Sequence, residues 1–75
     1  MGENHRRERF VELAEKRVTR TIKDLRLIGN LSNRSNYKYD DADVKKILGA
    51  LDAEMKNLRH RFETQSSVET AIFKL

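Results

Sequence analysis

The sequence predicts an all-α fold: an antiparallel helical hairpin with a coiled-coil-like seam, completed to a four-helix bundle by a second copy. Three observations carry that expectation. Proline is absent from all 75 residues, so nothing forbids long helices. Apolar residues recur at alternating spacings of three and four in two long segments, the pattern of a heptad seam. Between those segments the run IGNLSNRSNYKY, residues 28–39, contains no acid and is rich in asparagine, serine and tyrosine. That composition favours turns.

Helix 1 is expected over about residues 3–28, with its first turn frayed. Val11, Ala14, Val18, Thr21, Leu25 and Ile28 form its seam, and Phe10, Leu13 and Ile22 widen the seam into a stripe. The loop is expected over 29–40. Gly29 follows the last seam residue and reads as the C′ glycine, the position where a left-handed backbone ends a helix without strain. Asn30 can share that role. Asn33, Asn36, Ser32 and Ser35 can bond back to nearby backbone groups. Leu31 is placed to plug the open end of the helix pair. Tyr37 and Tyr39 face one way, over the core, if the chain there is extended.

Helix 2 is expected over about 41–62. Val44, Leu48, Leu51, Met55, Leu58 and Phe62 form its seam, and Ile47 adds width. Asp40 is a good N-cap, and Asp41 and Asp43 place negative charge at the positive end of the helix dipole. The tail, residues 63–75, breaks the heptad. Ser66-x-x-Glu69 reads as a capping box for one more short helix, with Val68, Ile72, Phe73 and Leu75 apolar; a strand-like or disordered end competes with it. The whole chain is one domain, since neither a repeat nor a long linker divides it.

Composition explains why a second copy enters the expectation. Hydrophobic and charged residues each make up 37% of the chain, which leaves little core material for so short a protein. Two long helices joined by about a dozen residues lie antiparallel, seam to seam. Phe10, Leu13, Ile22 and Ile47 broaden the stripes beyond what one such seam covers. A homodimeric four-helix arrangement is favoured, with a monomer capped by its own tail as the alternative.

The same composition removes most chemistry. Without cysteine there are no disulfides, zinc–thiolate sites or thiol nucleophiles. His5 and His60 have no His or Cys partner at metal-binding spacing, so no metal and no cofactor are expected. No serine has an activating context, and no phosphate-cradling glycine loop is present. Capping explains Asp40, Asp41 and Asp43 better than cation binding does. An enzyme is therefore not expected. No signal peptide and no spanning apolar run is evident, which points to the cytoplasm and away from the membrane. Asn30-Leu31-Ser32 and Asn33-Arg34-Ser35 are formal glycosylation sequons with no meaning in that compartment.

The loop and one helix face remain as candidate surfaces. A minimal interhelical joint needs about two to eight residues, and this one is longer. Arg34 is the only charge between Arg26 and Lys38, and amides and tyrosines surround it. Asn33, Arg34, Asn36, Tyr37 and Tyr39 are accordingly the candidate partner-binding residues, although a purely structural joint accounts for the same residue types. On helix 1, Arg9, Lys16, Arg20 and Lys23 fall within about 60° of one another opposite the seam. Residues 1–34 hold nine Lys/Arg against five Asp/Glu, a net +4; residues 35–75 hold seven of each, a net of zero. The basic row is a candidate nucleic-acid surface. Glu12 sits inside it at i,i+4 from Lys16, and a solvated outer face explains the row more simply. No DNA-reading motif accompanies it.

The run LRLIGNLSNRSNYKYDDADVKKILGAL resembles an uncharacterised family of small helical proteins of bacteria, phages and mobile elements. They share an IGNLSNRSNYxY interhelical loop. The resemblance spans roughly residues 10–62. Members carry threonine where this chain has Asp40, and both residues cap helices. The resemblance implies a bacterial or phage setting. It implies no activity and carries over no site residue. The expectation is thus a non-enzymatic interaction or regulatory protein that docks onto itself and an unidentified protein, with a small nucleic-acid binder as the alternative.

Overall fold

A computed structural model describes residues 4–65 of the chain with their side chains. The fold is all-α, with two helices, α1 (Gly2–Asn30) and α2 (Asp41–Lys74). Among the described residues no strand occurs. The chain divides into two units, Met1–Lys38 and Tyr39–Leu75.

The first unit is α1 with the turns that follow it. Its apolar stripe follows the heptad, and most of it stays exposed. Phe10, Val18, Ile22 and Leu25 are 43–56% exposed, while Val11, Leu13 and Ala14 are half-buried. Thr21 fits the seam because its Oγ1 donates to the Arg17 carbonyl at 2.8 Å. The hydroxyl is thereby satisfied within the helix itself. The Arg7 guanidinium lies 5.7 Å from the centre of the Phe10 ring, a cation–π contact that shields one flank of an exposed aromatic.

The end of α1 departs from the expected C′ glycine. Gly29 lies inside the helix, and no described residue, glycine or otherwise, has a positive φ. The helix instead tapers through tighter turns. Leu31 N donates to Ile28 O at 3.0 Å, Ser32 N to Gly29 O at 3.0 Å and Asn33 N to Asn30 O at 3.4 Å. Those i→i+3 bonds satisfy three of the carbonyls that a helix end leaves orphaned, so no left-handed residue is needed. The helix therefore ends at Asn30 rather than Ile28, and the loop shortens to 31–40.

The second unit begins with a reciprocal cap. Asp43 N donates to Asp40 Oδ1 at 2.9 Å, and Asp40 N donates to Asp43 Oδ2 at 3.0 Å. This is the capping-box arrangement, with aspartate in the place that glutamate or glutamine usually takes. Val44 N then makes the first helical bond, to Asp40 O at 3.2 Å. Tyr39 and Val44 occupy the N′ and N4 positions of a hydrophobic staple, and both are half-buried where their neighbours are exposed. Along α2 the seam is again open to solvent: Leu48, Met55, Leu58 and Phe62 are 47–60% exposed, with Leu51 half-buried. The helix does not stop at Phe62; no proline or glycine follows to end it. The expected cap at Ser66-x-x-Glu69, and the apolar roles of Val68, Ile72, Phe73 and Leu75, lie outside the described residues.

Candidate functional site

The loop residues separate into two groups by what their backbone and side chains do. Asn33 organises the turn that ends the first unit. Its carbonyl accepts from both Asn36 N (3.1 Å) and Tyr37 N (3.0 Å), and its Oδ1 accepts from Ser35 N at 2.9 Å. The side-chain bond is an Asx turn. The bonds also explain the spacing of the asparagines. Asn33 N bonds to Asn30 O, and Asn36 N bonds to Asn33 O, so the repeat of three in sequence is the repeat of three in the backbone. Each asparagine stands at a turn junction, where a short amide side chain can serve nearby backbone groups.

Arg34, Asn36 and Tyr37 are exposed on that turn, Tyr37 at 49%. Leu31 is also exposed, at 46%. Tyr39 belongs to the second unit, where its staple position with Val44 gives it a local role. Tyr37 and Tyr39 therefore do not share one environment: the first is exposed and donates its N–H to Asn33, the second is half-buried. Residues 37–40 have no regular secondary structure. Of the five candidate partner-binding residues, the structure brings Asn33, Arg34, Asn36 and Tyr37 onto one turn and places Tyr39 at the start of α2.

The basic row is fully displayed. Arg9, Lys16, Arg20 and Lys23 are all exposed on α1. Lys16 Nζ pairs with Glu12 Oε1 at 3.2 Å, with 71% and 64% of the two side chains exposed. An exposed i,i+4 pair of this kind contributes about 0.3–0.5 kcal/mol. A shallow groove beside it is lined by Glu15, Lys16, Thr19, Arg20 and Lys23.

Two features escaped the sequence reading. Arg6 and Arg17, also exposed, flank the same helix face, and a full helical wheel would have shown them. The Tyr39–Val44 staple was signalled by an aromatic one residue before the cap and an aliphatic four residues after it. Among the described residues, no group of three His, Asp or Glu side chains could hold a metal ion. His60 Nε2 lies 3.2 Å from Thr64 Oγ1, one helical turn away. No helix of the described residues is long and apolar enough to cross a membrane.

Comparison of the chain with protein-family models, with curated proteins and with solved structures finds no match in any of the three.

Proposed function

We propose that this chain is a non-enzymatic helical interaction protein of bacterial or phage origin, acting in the cytoplasm by docking onto a second copy of itself and onto a protein partner. The observation that supports this reading is the state of the two stripes. Each helix by itself carries a heptad seam of large apolar side chains, and no described residue is buried. Exposed apolar area on this scale marks an association surface.

Self-association is the first part of the proposal. In the proposed antiparallel hairpin, a register that opposes Ile28 to Val44 also opposes Leu25 to Leu48, Val18 to Met55 and Val11 to Phe62. The same register sets Arg17 across from Glu54 and Glu15 across from Arg59, opposite charges at both flanks. The widening residues then fall on its two flanks, Phe10 and Ile47 on the one with Arg17 and Glu54, Ile22 on the one with Glu15 and Arg59; a second hairpin covering the Phe10–Ile47 flank gives a four-helix bundle. The turn surface is the second part. Asn33 holds the turn, and Arg34, Asn36 and Tyr37 are exposed on it, where a partner can reach them. Arginine and tyrosine are the side chains that interfaces favour.

The test is the concentration dependence of thermal unfolding. A self-associating chain gains stability by mass action, so its melting midpoint rises with protomer concentration. Leu51→Ala, at a proposed seam position, should cost about 2–5 kcal/mol and lower the midpoint at every concentration. A midpoint indifferent to both changes would reject the reading.

A further inference from the structure

The charges of α1 are sorted by face. At 3.6 residues per turn, Arg6, Arg9, Lys16, Arg17, Arg20 and Lys23 fall within a sector of about 120°. One acid, Asp24, shares the sector, so the face carries +5 (six cations, one anion) where the whole chain carries +4. The remaining described acids of α1, Glu8, Glu12 and Glu15, lie between this sector and the apolar stripe; Glu12 pairs with Lys16 at the basic margin, and Glu15 lines the groove beside Lys16, Arg20 and Lys23. All six cations are exposed. A face that serves only to keep a helix in water mixes both signs more evenly; this one holds six cations and one acid.

We infer that this face of α1 is a binding surface for the phosphate backbone of a nucleic-acid duplex, read without regard to base sequence. Arg6 and Lys23 are separated by about 25 Å along the axis at 1.5 Å per residue. The row Arg9, Lys16, Arg20, Lys23 places its last three cations about 4.5–6 Å apart along that axis. Long, flexible basic side chains at this density can meet successive phosphates of a duplex, which carries one negative charge per roughly 1.7 Å of its axis. The arginines add planar, bidentate donors suited to phosphate oxygens. A lipid surface fits less well. A helix lying in a membrane interface buries its apolar face and lets its cations rim that face. Here Glu8 and Glu15 occupy the border of the apolar stripe beside Ile22, so the six cations can rim it on one side only. No base-reading element accompanies the row, so the binding is of the non-specific class, with a Kd no tighter than about 10⁻⁶ M at physiological salt. The inference rests on α1 alone and stands or falls apart from the proposed assembly.

The experiment is fluorescence anisotropy of a labelled 20-base-pair duplex DNA of scrambled sequence, titrated with the full chain at 50 and 200 mM salt. Four phosphate contacts give a slope of log K against log salt of about −3.6, hence a loss of about 150-fold between the two conditions. Replacing Arg9, Lys16, Arg20 and Lys23 together with Gln should abolish most of that slope, while circular dichroism and sedimentation remain unchanged. Glu8→Gln with Glu15→Gln should leave the slope as it was. Should the fourfold variant lose helicity, the Arg9→Gln and Lys23→Gln single variants carry the comparison, each flattening the slope by about 0.9. Absence of binding at 50 mM salt, a slope that ignores the Gln variants, or tighter binding to phosphatidylserine vesicles than to the duplex would each overturn the inference.

Discussion

Replacing Gly29 by alanine separates two accounts of how α1 ends, and it does so by sign. A C′ glycine in the left-handed region tolerates no Cβ, and Gly29→Ala would then cost about 1–2 kcal/mol. The structure sets different terms. Gly29 lies within α1, no described residue has a positive φ, and a Cβ built on Gly29 meets nothing within 4 Å. Neither strain nor collision opposes the new methyl group. What remains is intrinsic preference, which favours alanine over glycine in a helix by about 0.5–1 kcal/mol. The expected outcome is therefore stabilisation of about 0.5–1 kcal/mol. The assay is urea unfolding followed by circular dichroism, with wild type and variant at the same protomer concentration because association couples stability to concentration. For a denaturant slope near 1 kcal/mol/M, the midpoint should rise by about 0.5–1 M. Gly49→Ala provides the internal standard: Gly49 also lies in a helix with open space around its Cβ position, and it should shift in the same direction. If Gly29→Ala lowers the midpoint while Gly49→Ala raises it, the tapered helix end is refuted and the left-handed glycine restored.

Two further predictions follow from the cap and the turn. Asp40→Ala should cost about 1 kcal/mol, the usual value of an N-cap, and Asp40→Ala with Asp43→Ala should cost less than the sum of the two, because each aspartate serves the other's backbone N–H; additive costs in a double-mutant cycle would mean the two bonds are independent. Arg34→Ala should change stability by no more than about 0.5 kcal/mol, as exposed substitutions usually do, while abolishing capture of a protein partner in a pull-down, and Tyr37→Phe should weaken that capture without melting the chain. An Arg34→Ala variant that unfolds yet keeps its partner would reduce the turn to a joint.

The helices themselves were legible because a heptad is long and redundant: six seam positions in each helix agree, and no single residue decides the assignment. The start of α2 was legible from Asp40 for the same kind of reason, since a capping side chain acts on its own local backbone. The end of α1 was not. A glycine after the last seam residue is the commonest sign of a helix stop, and nothing in the sequence says that the following asparagines will taper the helix through i→i+3 bonds instead. The threefold asparagine spacing was visible, but its meaning needed the bond from Asn33 N to Asn30 O and from Asn36 N to Asn33 O. Alternation puts Tyr39 on one face with Tyr37; the staple position beside Val44 is a competing local demand that alternation does not express. In the same way position alone makes Asp43 a helix-dipole charge, although its Oδ2 also closes the capping box on Asp40 N. The sorted charge of α1 was half legible: four cations were seen on one face, but the neighbouring Arg6 and Arg17 define its width.

In the proposed assembly the seams of α1 and α2 pair within one chain, and the apolar residues that widen them are covered by a second copy. Sedimentation equilibrium of the full chain at micromolar concentration tests it most directly. The account predicts a species of twice the 8.8 kDa chain mass, dissociating on dilution and weakened by Leu51→Ala. A single 8.8 kDa species across the whole concentration range, with helicity intact, would contradict it.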